Sequence, residues 1–493
     1  MENRSESLKT ERNEAWRSDL RKNIKAKDRT SLIRAKMNEV DANVRIKSYV
    51  EVNSGLTVEQ AQQEAARCID CANPTCINGC PVEINIPKFV KRIEQGEFLE
   101  AARVLKETST LPAVCGRVCP QEKQCEANCF YTQKLKKEPV AIGYLERFAA
   151  DYERESGQMS VPETATSNNI KIGVIGSGPA GLTFAGEMAK KGYSITVFEA
   201  LHEIGGVLKY GIPEFRLPND IVDVEIDNLR KMGVQFETNF VVGKTVSFDD
   251  LKEEGYKAFF AGSGAGLPRF MGIPGENYIG IQSSNEYLTR INLMHAAEQD
   301  TDTPVVSGKN VMVIGGGNTA MDSVRTAKRL GADRAMIVYR RGMDEMPARK
   351  EEIHHAIEEG VEFITLANPI EYFADEKGRV NKVKIQKMEL GEPDASGRRR
   401  PVAIEGSEYL IEVSTVVVSV GVSPNPLIPD SLPELTTTKW GTIEVNEDTL
   451  QSSINTVFAG GDIVRGGATV ILAMGDGRRA AQSMDNFLKK NEQ

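Results

Sequence analysis

Several features that mark other classes of protein are missing from this sequence. No apolar run reaches the about 18 residues that a membrane-spanning helix needs, so we expect no contact with a membrane. The net charge of -9 argues against the basic face of nucleic-acid-binding proteins. No hydrophobic segment stands among the first residues, so we expect no signal peptide and a cytoplasmic protein.

Cysteine is absent from most of the chain, and histidine is scarce. All eight cysteines lie between residues 68 and 129. A reducing compartment disfavours structural disulfides, so clustered thiols are better interpreted as metal ligands. Of the four histidines, His354 and His355 are adjacent and would point to different faces of a helix. We therefore assign no catalytic role to any histidine, and no catalytic residue elsewhere.

The charge is unevenly distributed along the chain. Residues 1–50 contain 13 Lys and Arg against 8 Asp and Glu, although the whole chain is acidic. Residues 1–60 are predicted to form a charged helical extension. Its basic side chains indicate either a docking arm for a partner or an ordinary solvated helix face.

A glycine-rich turn follows the predicted strand at residues 171–175. Gly176, Gly178 and Gly181 form a G-x-G-x-x-G motif, and an acidic residue, Glu199, stands 23 positions after Gly176. In this pattern the first glycine permits the turn, the second lets the backbone approach a pyrophosphate, and the third lets helix and strand pack closely. Glu199 is placed to accept ribose hydroxyls, so the motif predicts a dinucleotide site.

Two further segments indicate that this dinucleotide is FAD. The stretch after Glu199 begins with Gly205 and Gly206 and is predicted to wrap a ligand. Near the C-terminus, Asp462 follows a predicted strand and a helix opens near Thr469. Asp462 is placed to bond a ribityl hydroxyl, and the helix N-terminus would stabilise a reduced flavin. Taken alone, Asp462 would equally suit a simple turn or helix cap.

The same strand–glycine–helix–strand pattern recurs at residues 309–341. Its acidic residue is replaced by Arg340, 25 positions after Gly315, and by Arg341. A guanidinium suits a 2′-phosphate, so NADPH is favoured over NADH, the alternative being two solvated surface arginines. The predicted NADPH-binding residues are Gly315, Gly317, Asn318, Thr319, Ala320, Arg340 and Arg341.

The two repeats predict an α/β fold with two Rossmann-like dinucleotide-binding domains, the NADPH domain inserted in the FAD domain. An α-helical domain carrying the cysteines precedes them. The expected boundaries are 1–60 for the extension, 61–150 for the helical metal domain, 151–168 for a polar linker, 169–305 and 445–493 for the FAD domain, and 306–444 for the NADPH domain.

The eight cysteines fall into two runs of four, each with a proline after one cysteine. Eight thiolates next to a flavin favour two 4Fe-4S clusters over two structural zinc sites, because zinc carries no electrons. The absence of cysteine after residue 129 disfavours the redox-active pair of flavoprotein disulfide reductases. In two-cluster proteins the last cysteine of a run often ligates the other cluster. Crossed ligation would join Cys68, Cys71 and Cys76 with Cys129, and would place Cys80, Cys119 and Cys125 on the other cluster.

Taken together, these motifs resemble the small (β) subunit of NADPH-dependent glutamate synthase. The stretches that carry the likeness span roughly residues 35–490 and include CIDCANPTCINGC, LPAVCGRVCPQEKQCEANC, EPVAIGYLERFAADY, GSGPAGL, YGIPEFRLP and GGDIVRGGATV. The same module resembles the large subunit of NADH-dependent ferredoxin:NADP oxidoreductase and the N-terminal half of dihydropyrimidine dehydrogenase.

The resemblance implies that electrons pass between NADPH, FAD, two 4Fe-4S clusters and a partner, in a direction the motifs leave open. It also implies that Glu146, rather than Cys115, completes the second cluster. The partner would be a larger catalytic subunit, or a small flavoprotein and ferredoxin if the chain is a bifurcating transhydrogenase subunit. A homo-oligomer stays open, and a scaffold with structural zinc is the third alternative.

Overall fold

The computed structural model describes residues 2–298, 301–305, 308–394 and 397–491. Among these residues, no helix combines the length and the apolar character that a membrane span requires. Helices α1–α20 span Glu2–Arg12, Ala15–Asn23, Ala26–Arg29, Ala42–Arg45, Val58–Arg67, Thr75–Asn78, Ile86–Gln95, Phe98–Lys106, Pro112–Val118, Ile142–Glu155, Pro179–Lys190, Val207–Tyr210, Asn219–Lys231, Phe248–Glu253, Ser284–Asn292, Asn318–Arg329, Lys350–Glu358, Leu427–Ser431, Asp462–Arg465 and Val470–Asn491.

The described strands are concentrated in the second half of the chain. Strands β1–β18 span Asn38–Glu39, Asn53–Gly55, Lys171–Ile175, Ser194–Phe198, Gln235–Glu237, Tyr256–Ala261, Leu267–Pro268, Ile281–Ser283, Asn310–Ile314, Arg334–Tyr339, Glu362–Thr365, Ala367–Ala374, Val380–Pro393, Arg399–Ala403, Tyr409–Glu412, Thr415–Val418, Val422–Ser423 and Val457–Ala459. Short 3-10 turns cover Gln121–Lys123 and Met343–Glu345, and a π-helical turn covers Tyr131–Leu135.

The N-terminal part is helical, apart from one short strand pair. Helices α5, α7, α8 and α10 pack together and bury apolar side chains such as Phe89, Ile93 and Leu105. Helix α5 begins with a reciprocal cap in which Thr57 and Gln60 satisfy each other's free backbone N–H groups. The extension expected to be helical over residues 1–60 also contains strands β1 and β2, which pair with each other. Helix α10 continues to Glu155, five residues into the expected linker.

The first nucleotide-binding unit is a five-stranded parallel sheet in the order β18-β6-β3-β4-β5. Strands β3, β4, β6 and β18 are almost wholly buried because helices cover both faces, as parallel sheets require, whereas the edge strand β5 is largely exposed. Strand β18 comes from the far end of the chain and pairs with β6. The unit is therefore discontinuous in sequence, as predicted.

The second unit lies between the two parts of the first. It has a five-stranded parallel sheet in the order β11-β10-β9-β16-β8 and an antiparallel sheet built from β12, β13, β14 and β15. Strand β8, at Ile281–Ser283, pairs with β16, so residues 281–292 accompany the second unit rather than the first. The boundary that we expected between residues 305 and 306 falls where Val306 and Ser307 lie outside the described residues. An antiparallel pair, β7 with β17, links the two units.

Candidate functional site

The structure brings the eight cysteines together in two separate groups, and none of them forms a disulfide. Cys68, Cys71, Cys76 and Cys129 line one cavity. This outer thiol group is the set expected from crossed ligation. Burial raises the pKa of the Cys71 thiol to about 12 and also raises the pKa of the Cys76 thiol well above its usual value. Buried thiols this close together need a cationic centre to hold them as thiolates, so they fit an iron–sulfur cluster.

The inner thiol group contains Cys80, Cys119 and Cys125, with Cys115 and Glu146 beside them. Burial raises the pKa of the Cys80 thiol to about 12, and Glu146 and Cys115 contribute smaller increases. Cys119 and Cys125 are both buried, and the Glu146 carboxylate contributes to raising the pKa of each thiol. The Glu146 carboxylate therefore interacts electrostatically with all three thiols and with Cys115, which places these five donors in one buried group.

Glu146 and Cys115 differ in whether their side chains have hydrogen-bond partners. Burial raises the pKa of Glu146 to about 8, with a further contribution from Glu225. Glu146 Oε1 is buried and has no hydrogen-bond partner among the described residues. Cys115 Sγ lies 3.4 Å from Met474 Sδ and also interacts with Ser109. Because a buried, unpaired carboxylate oxygen is costly, the donor set fits a cluster that Glu146 completes.

The first glycine motif has the geometry that a pyrophosphate requires. Gly176 has φ of 95°, and a Cβ there would lie 2.6 Å from Gly262 O. A Cβ on Gly181 would overlap Gly176 O, so helix α11 packs directly on the turn. Nothing lies within 4 Å of a Cβ built on Gly178, which begins α11. The helix N-terminus is therefore open to an anion.

Other predicted FAD residues surround this turn. Glu199 Oε2 accepts hydrogen bonds from Ser177 N at 2.9 Å and Ser177 Oγ at 2.5 Å, so one carboxylate oxygen is already committed to the turn. A Cβ on Gly206 would lie 2.9 Å from Gly178 Cα, which places the loop of Gly205 and Gly206 directly over the motif.

The C-terminal part of the same site is built around helix α20. Burial raises the pKa of Asp462 to about 6, and Asp462 Oδ1 accepts from Ala468 N at 3.0 Å. Thr469 stands immediately before α20, and its hydroxyl accepts from Leu472 N at 3.4 Å. The helix begins where the sequence predicted it.

Asp476 has a structural role that was not predicted. This buried carboxylate accepts from Gly461 N at 3.0 Å and from Arg465 Nε at 2.6 Å, and so it fixes the turn that precedes Asp462. A lone acid between Gly475 and Gly477 in an otherwise apolar helix face was the available signal.

Helix α20 is in direct contact with the inner thiol group. A Cβ on Gly475 would lie 2.9 Å from Pro81 O, and Pro81 directly follows Cys80. One residue earlier, Met474 meets Cys115. Helix α20 therefore joins the predicted FAD site to the inner group. Such packing suits electron transfer between the two centres.

The second glycine motif repeats the first. Gly315 has φ of 143°, and a Cβ there would overlap Ser419 O. Gly317 begins helix α16 and has open space above it, and the buried Ala320 packs below. Asn318 Oδ1 accepts from Arg349 N at 2.9 Å, which ties the helix start to the segment before α17. Thr319 lies in the first turn of α16, and its carbonyl accepts from Ser323 Oγ.

The two predicted phosphate-binding arginines differ in their surroundings. Arg341 is buried, and its guanidinium donates to Arg399 O at 2.7 Å and to Asp394 Oδ2 at 2.8 Å. Arg340 is exposed at the end of strand β10 and forms no ion pair with any of the described residues. The structure therefore leaves Arg340 available to a ligand and uses Arg341 to hold the antiparallel sheet.

Comparisons with known proteins agree with this architecture. The family described as dihydropyrimidine dehydrogenase domain II, 4Fe-4S cluster, matches residues 45–158, and the pyridine nucleotide-disulphide oxidoreductase family matches residues 170–477. The glutamate synthase [NADPH] small chain of Azospirillum brasilense is 37% identical over 90% of this chain and 92% of its own. The NADP(+)-dependent formate dehydrogenase subunit beta of Moorella thermoacetica is 39% identical over 84% of this chain and 60% of its own.

Among solved structures, FprA of Mycobacterium tuberculosis in complex with NADPH has a TM-score of 0.55. It is 20% identical and covers 66% of this chain and 86% of its own, so it supports the fold of the two nucleotide-binding units. Together with the cysteine groups and glycine motifs, these matches identify an NADPH oxidoreductase that uses FAD and 4Fe-4S clusters. The chain belongs to the family of the NADPH-dependent glutamate synthase small chain.

Proposed function

We propose that this chain is the electron-input subunit of a glutamate synthase and passes reducing equivalents from NADPH to a separate large catalytic subunit. The observation that carries the proposal is the contact of helix α20 with the inner thiol group, through Gly475 with Pro81 and Met474 with Cys115. Small chains of this enzyme are similar to this chain along nearly their whole length, which supports the choice of partner.

The bound groups would supply hydride acceptance at a flavin and one-electron transfer at iron–sulfur clusters. The chain's own residues bind and orient them. The open helix starts at Gly178 and Gly317 would bind the two pyrophosphates, and Asp462 would hold the ribityl chain. Arg340 would pair with the 2′-phosphate that distinguishes NADPH from NADH.

The proposed ligands of the two clusters follow the two groups of donors. Cys68, Cys71, Cys76 and Cys129 would hold the outer cluster. Cys80, Cys119, Cys125 and Glu146 would hold the inner one, with Cys115 as an unligated thiol between the inner cluster and helix α20. The inner site lies against helix α20. We therefore infer that electrons pass from FAD to the inner cluster, then to the outer cluster and then to the partner.

A second candidate is the electron-transfer subunit of another NADP-linked complex. It is favoured by the 39% identity to a formate dehydrogenase beta subunit, which exceeds that to the Azospirillum glutamate synthase chain. Like the transhydrogenase alternative, it needs the same cofactors and differs only in the partner.

Capture of partners with the tagged, anaerobically purified protein distinguishes these functions. The glutamate synthase proposal predicts a large co-purifying chain and formation of glutamate from NADPH, glutamine and 2-oxoglutarate. A complex that forms no glutamate, but couples NADP to formate or to ferredoxin, would contradict it and support the second candidate.

A further inference from the structure

The loop between Cys68 and Cys71 is surrounded by arginines of the N-terminal extension. Asp70 in this loop is fully buried and has φ of 50°. Its Oδ1 accepts from Arg17 Nη2 at 2.5 Å and its Oδ2 from Arg21 Nη1 at 2.5 Å. Arg12 Nε donates to the Asp70 carbonyl at 2.8 Å. Two guanidinium groups therefore meet the Asp70 carboxylate, and a third meets the Asp70 backbone carbonyl, beside the outer thiol group.

Two further cations contact the backbone at the start of this loop and just before it. Lys91, fully buried on helix α7, donates from Nζ to Cys68 O and pairs with Glu94 at 2.5 Å. Arg29, also buried, donates to Ala66 O at 2.6 Å and forms two hydrogen bonds to Glu94 at 2.8 and 3.0 Å. We call the five cations Arg12, Arg17, Arg21, Arg29 and Lys91 the cationic cap. Within the described part of the chain, their ion pairs involve two carboxylates, Asp70 and Glu94.

An excess of cations in a largely buried setting is unfavourable unless an anion lies nearby. An iron–sulfur core held by the four thiolates of the outer site would be that anion. The cationic cap contacts the loop that carries two of these thiolates, Cys68 and Cys71. Reduction adds a further negative charge to such a cluster. Nearby cations stabilise the reduced form more than the oxidised form, and the effect is strong where water is excluded.

We propose that the cationic cap raises the reduction potential of the outer cluster, so that it accepts electrons that arrive from the flavin through the inner cluster. The proposal rests on the assignment of Cys68, Cys71, Cys76 and Cys129 to one cluster. The cap residues are positioning residues rather than ligands. Four of the five precede residue 45, where the match to the cluster-binding family begins, so the extension supplies most of the charge.

The test is a redox titration of the full-length holoprotein, followed by electron paramagnetic resonance. Lys91→Met and the double variant Arg17→Gln with Arg21→Gln each remove positive charge. We expect the outer cluster's equilibrium constant for reduction to fall at least tenfold, which is about 59 mV for a one-electron couple. The inner cluster's potential should not change.

Charge-restoring and matched variants separate this effect from a structural one. Lys91→Arg should keep the wild-type potential, and Asp70→Asn added to the double arginine variant should return the potential towards wild type. Arg103→Gln, which removes an exposed and paired arginine of helix α8 in the same domain, is the control. Iron content of every variant reports whether both clusters are retained.

The proposal is contradicted if the charge-removing variants keep their iron and shift the reduction potential of the outer cluster no more than Arg103→Gln does. It is also contradicted if Asp70→Asn restores nothing. If the double arginine variant fails to fold, the comparison of Lys91→Met with Lys91→Arg decides alone. Wild-type protein with only one cluster signal would instead overturn the ligand assignment, and the cap with it.

Discussion

Glu146 and Cys115 lie beside the same inner thiol group, and their contacts distinguish them. Cys115 is satisfied by Met474 and Ser109, whereas Glu146 Oε1 has no partner within the described part of the chain. We therefore expect Glu146→Ala to lose the inner cluster, lowering iron from about eight to about four atoms per chain. Cys115→Ser should keep both clusters. Iron and sulfide analysis of anaerobically purified protein checks this, and the reverse pattern would make Cys115 the ligand.

Arg340 and Arg341 are neighbours in sequence with different roles in the structure. Removing the exposed guanidinium by Arg340→Ala should cost about 1.5–3 kcal/mol of binding to the 2′-phosphate, which is roughly 10- to 100-fold in KM for NADPH. The KM for NADH should hardly change, because NADH lacks that phosphate. Steady-state reduction of an artificial acceptor measures both constants. Equal increases in KM for NADPH and NADH would show that Arg340 does not bind the 2′-phosphate.

The matched variant is Arg341→Ala, which breaks the hydrogen bonds to Arg399 O and Asp394. We expect it to lower thermal stability without changing the preference between the two nucleotides. The sequence alone identified the pair, because an arginine replaces the usual acid after the second strand. It did not distinguish the two side chains, since the partner Asp394 lies 53 residues further along the chain.

Helix α11 shows how neighbouring glycines serve different purposes. A side chain on Gly178 meets no atom within 4 Å, whereas one on Gly181 would collide with the turn itself. Gly178→Val should therefore fold normally but lose most of its flavin absorbance, because the side chain occupies the pyrophosphate position. Gly181→Val should fold poorly. Flavin content and circular dichroism separate the outcomes, and a yellow Gly178→Val protein would place the pyrophosphate elsewhere.

Helices α16 and α17 belong to a buried ion network that joins three parts of the chain. Arg216, from the loop after the FAD motif, pairs with Asp322 at 2.7 Å and with Glu352 at 3.1 Å. Arg45, from the N-terminal extension, pairs with Glu359 at 2.9 Å. The network therefore holds the NADPH unit against both the FAD unit and the extension.

The loss of one network carboxylate should be far more damaging than the loss of a surface carboxylate. Glu352→Gln leaves Arg216 and Arg325 short of a buried partner, which typically costs about 3–5 kcal/mol of unfolding free energy at neutral pH. Glu362→Gln, in an exposed pair with Arg334, should cost less than about 1 kcal/mol. Urea unfolding of both variants measures the difference, and similar losses would contradict the role of the network.

The contribution of Glu352 to the free energy of unfolding should also decrease at low pH. Burial favours its protonated form, but Arg216 and Arg325 lower its pKa to about 2. The unfolded value is about 4.3, so ionised Glu352 stabilises the fold fully above that pH and loses its contribution as the pH falls towards 2. The stability difference between wild type and Glu352→Gln should therefore shrink between about pH 4 and pH 2. A difference that grows on acidification would contradict this assignment.

Local patterns predicted the strand–glycine–helix–strand segments of the two nucleotide-binding units, because glycine turns and apolar strands are short-range signals. They did not predict the antiparallel sheet of β12–β15. They did not predict that β8 joins the second sheet, since its pairing with β16 spans more than a hundred residues. Strands β1 and β2 were missed for a similar reason. Their five residues have no alternating pattern, and the pair lies next to the ion network of helix α17 through Asn53 and Glu351.

For the complete chain, the sequence indicated the order of domains but not the use of the basic N-terminus. We considered a docking arm or a solvated face. The six lysines among residues 1–50 are exposed, as a solvated face requires, whereas three of the arginines are not. Arg17, Arg29 and Arg45 are each 2% exposed or less and point into the protein. These three arginines thus direct their charge inward, towards the outer thiol group and the NADPH unit, while the lysines remain in solvent. Neither contact has a local sequence signal.

The central claim is that one chain transfers electrons from NADPH through a flavin to iron–sulfur clusters. The most direct test is an anaerobic titration of the purified protein with NADPH, followed by visible absorption and electron paramagnetic resonance. We predict that the flavin absorbance bleaches and that the signal of a reduced cluster appears without any partner protein. A flavin that bleaches while clusters reducible by dithionite stay oxidised would contradict the account.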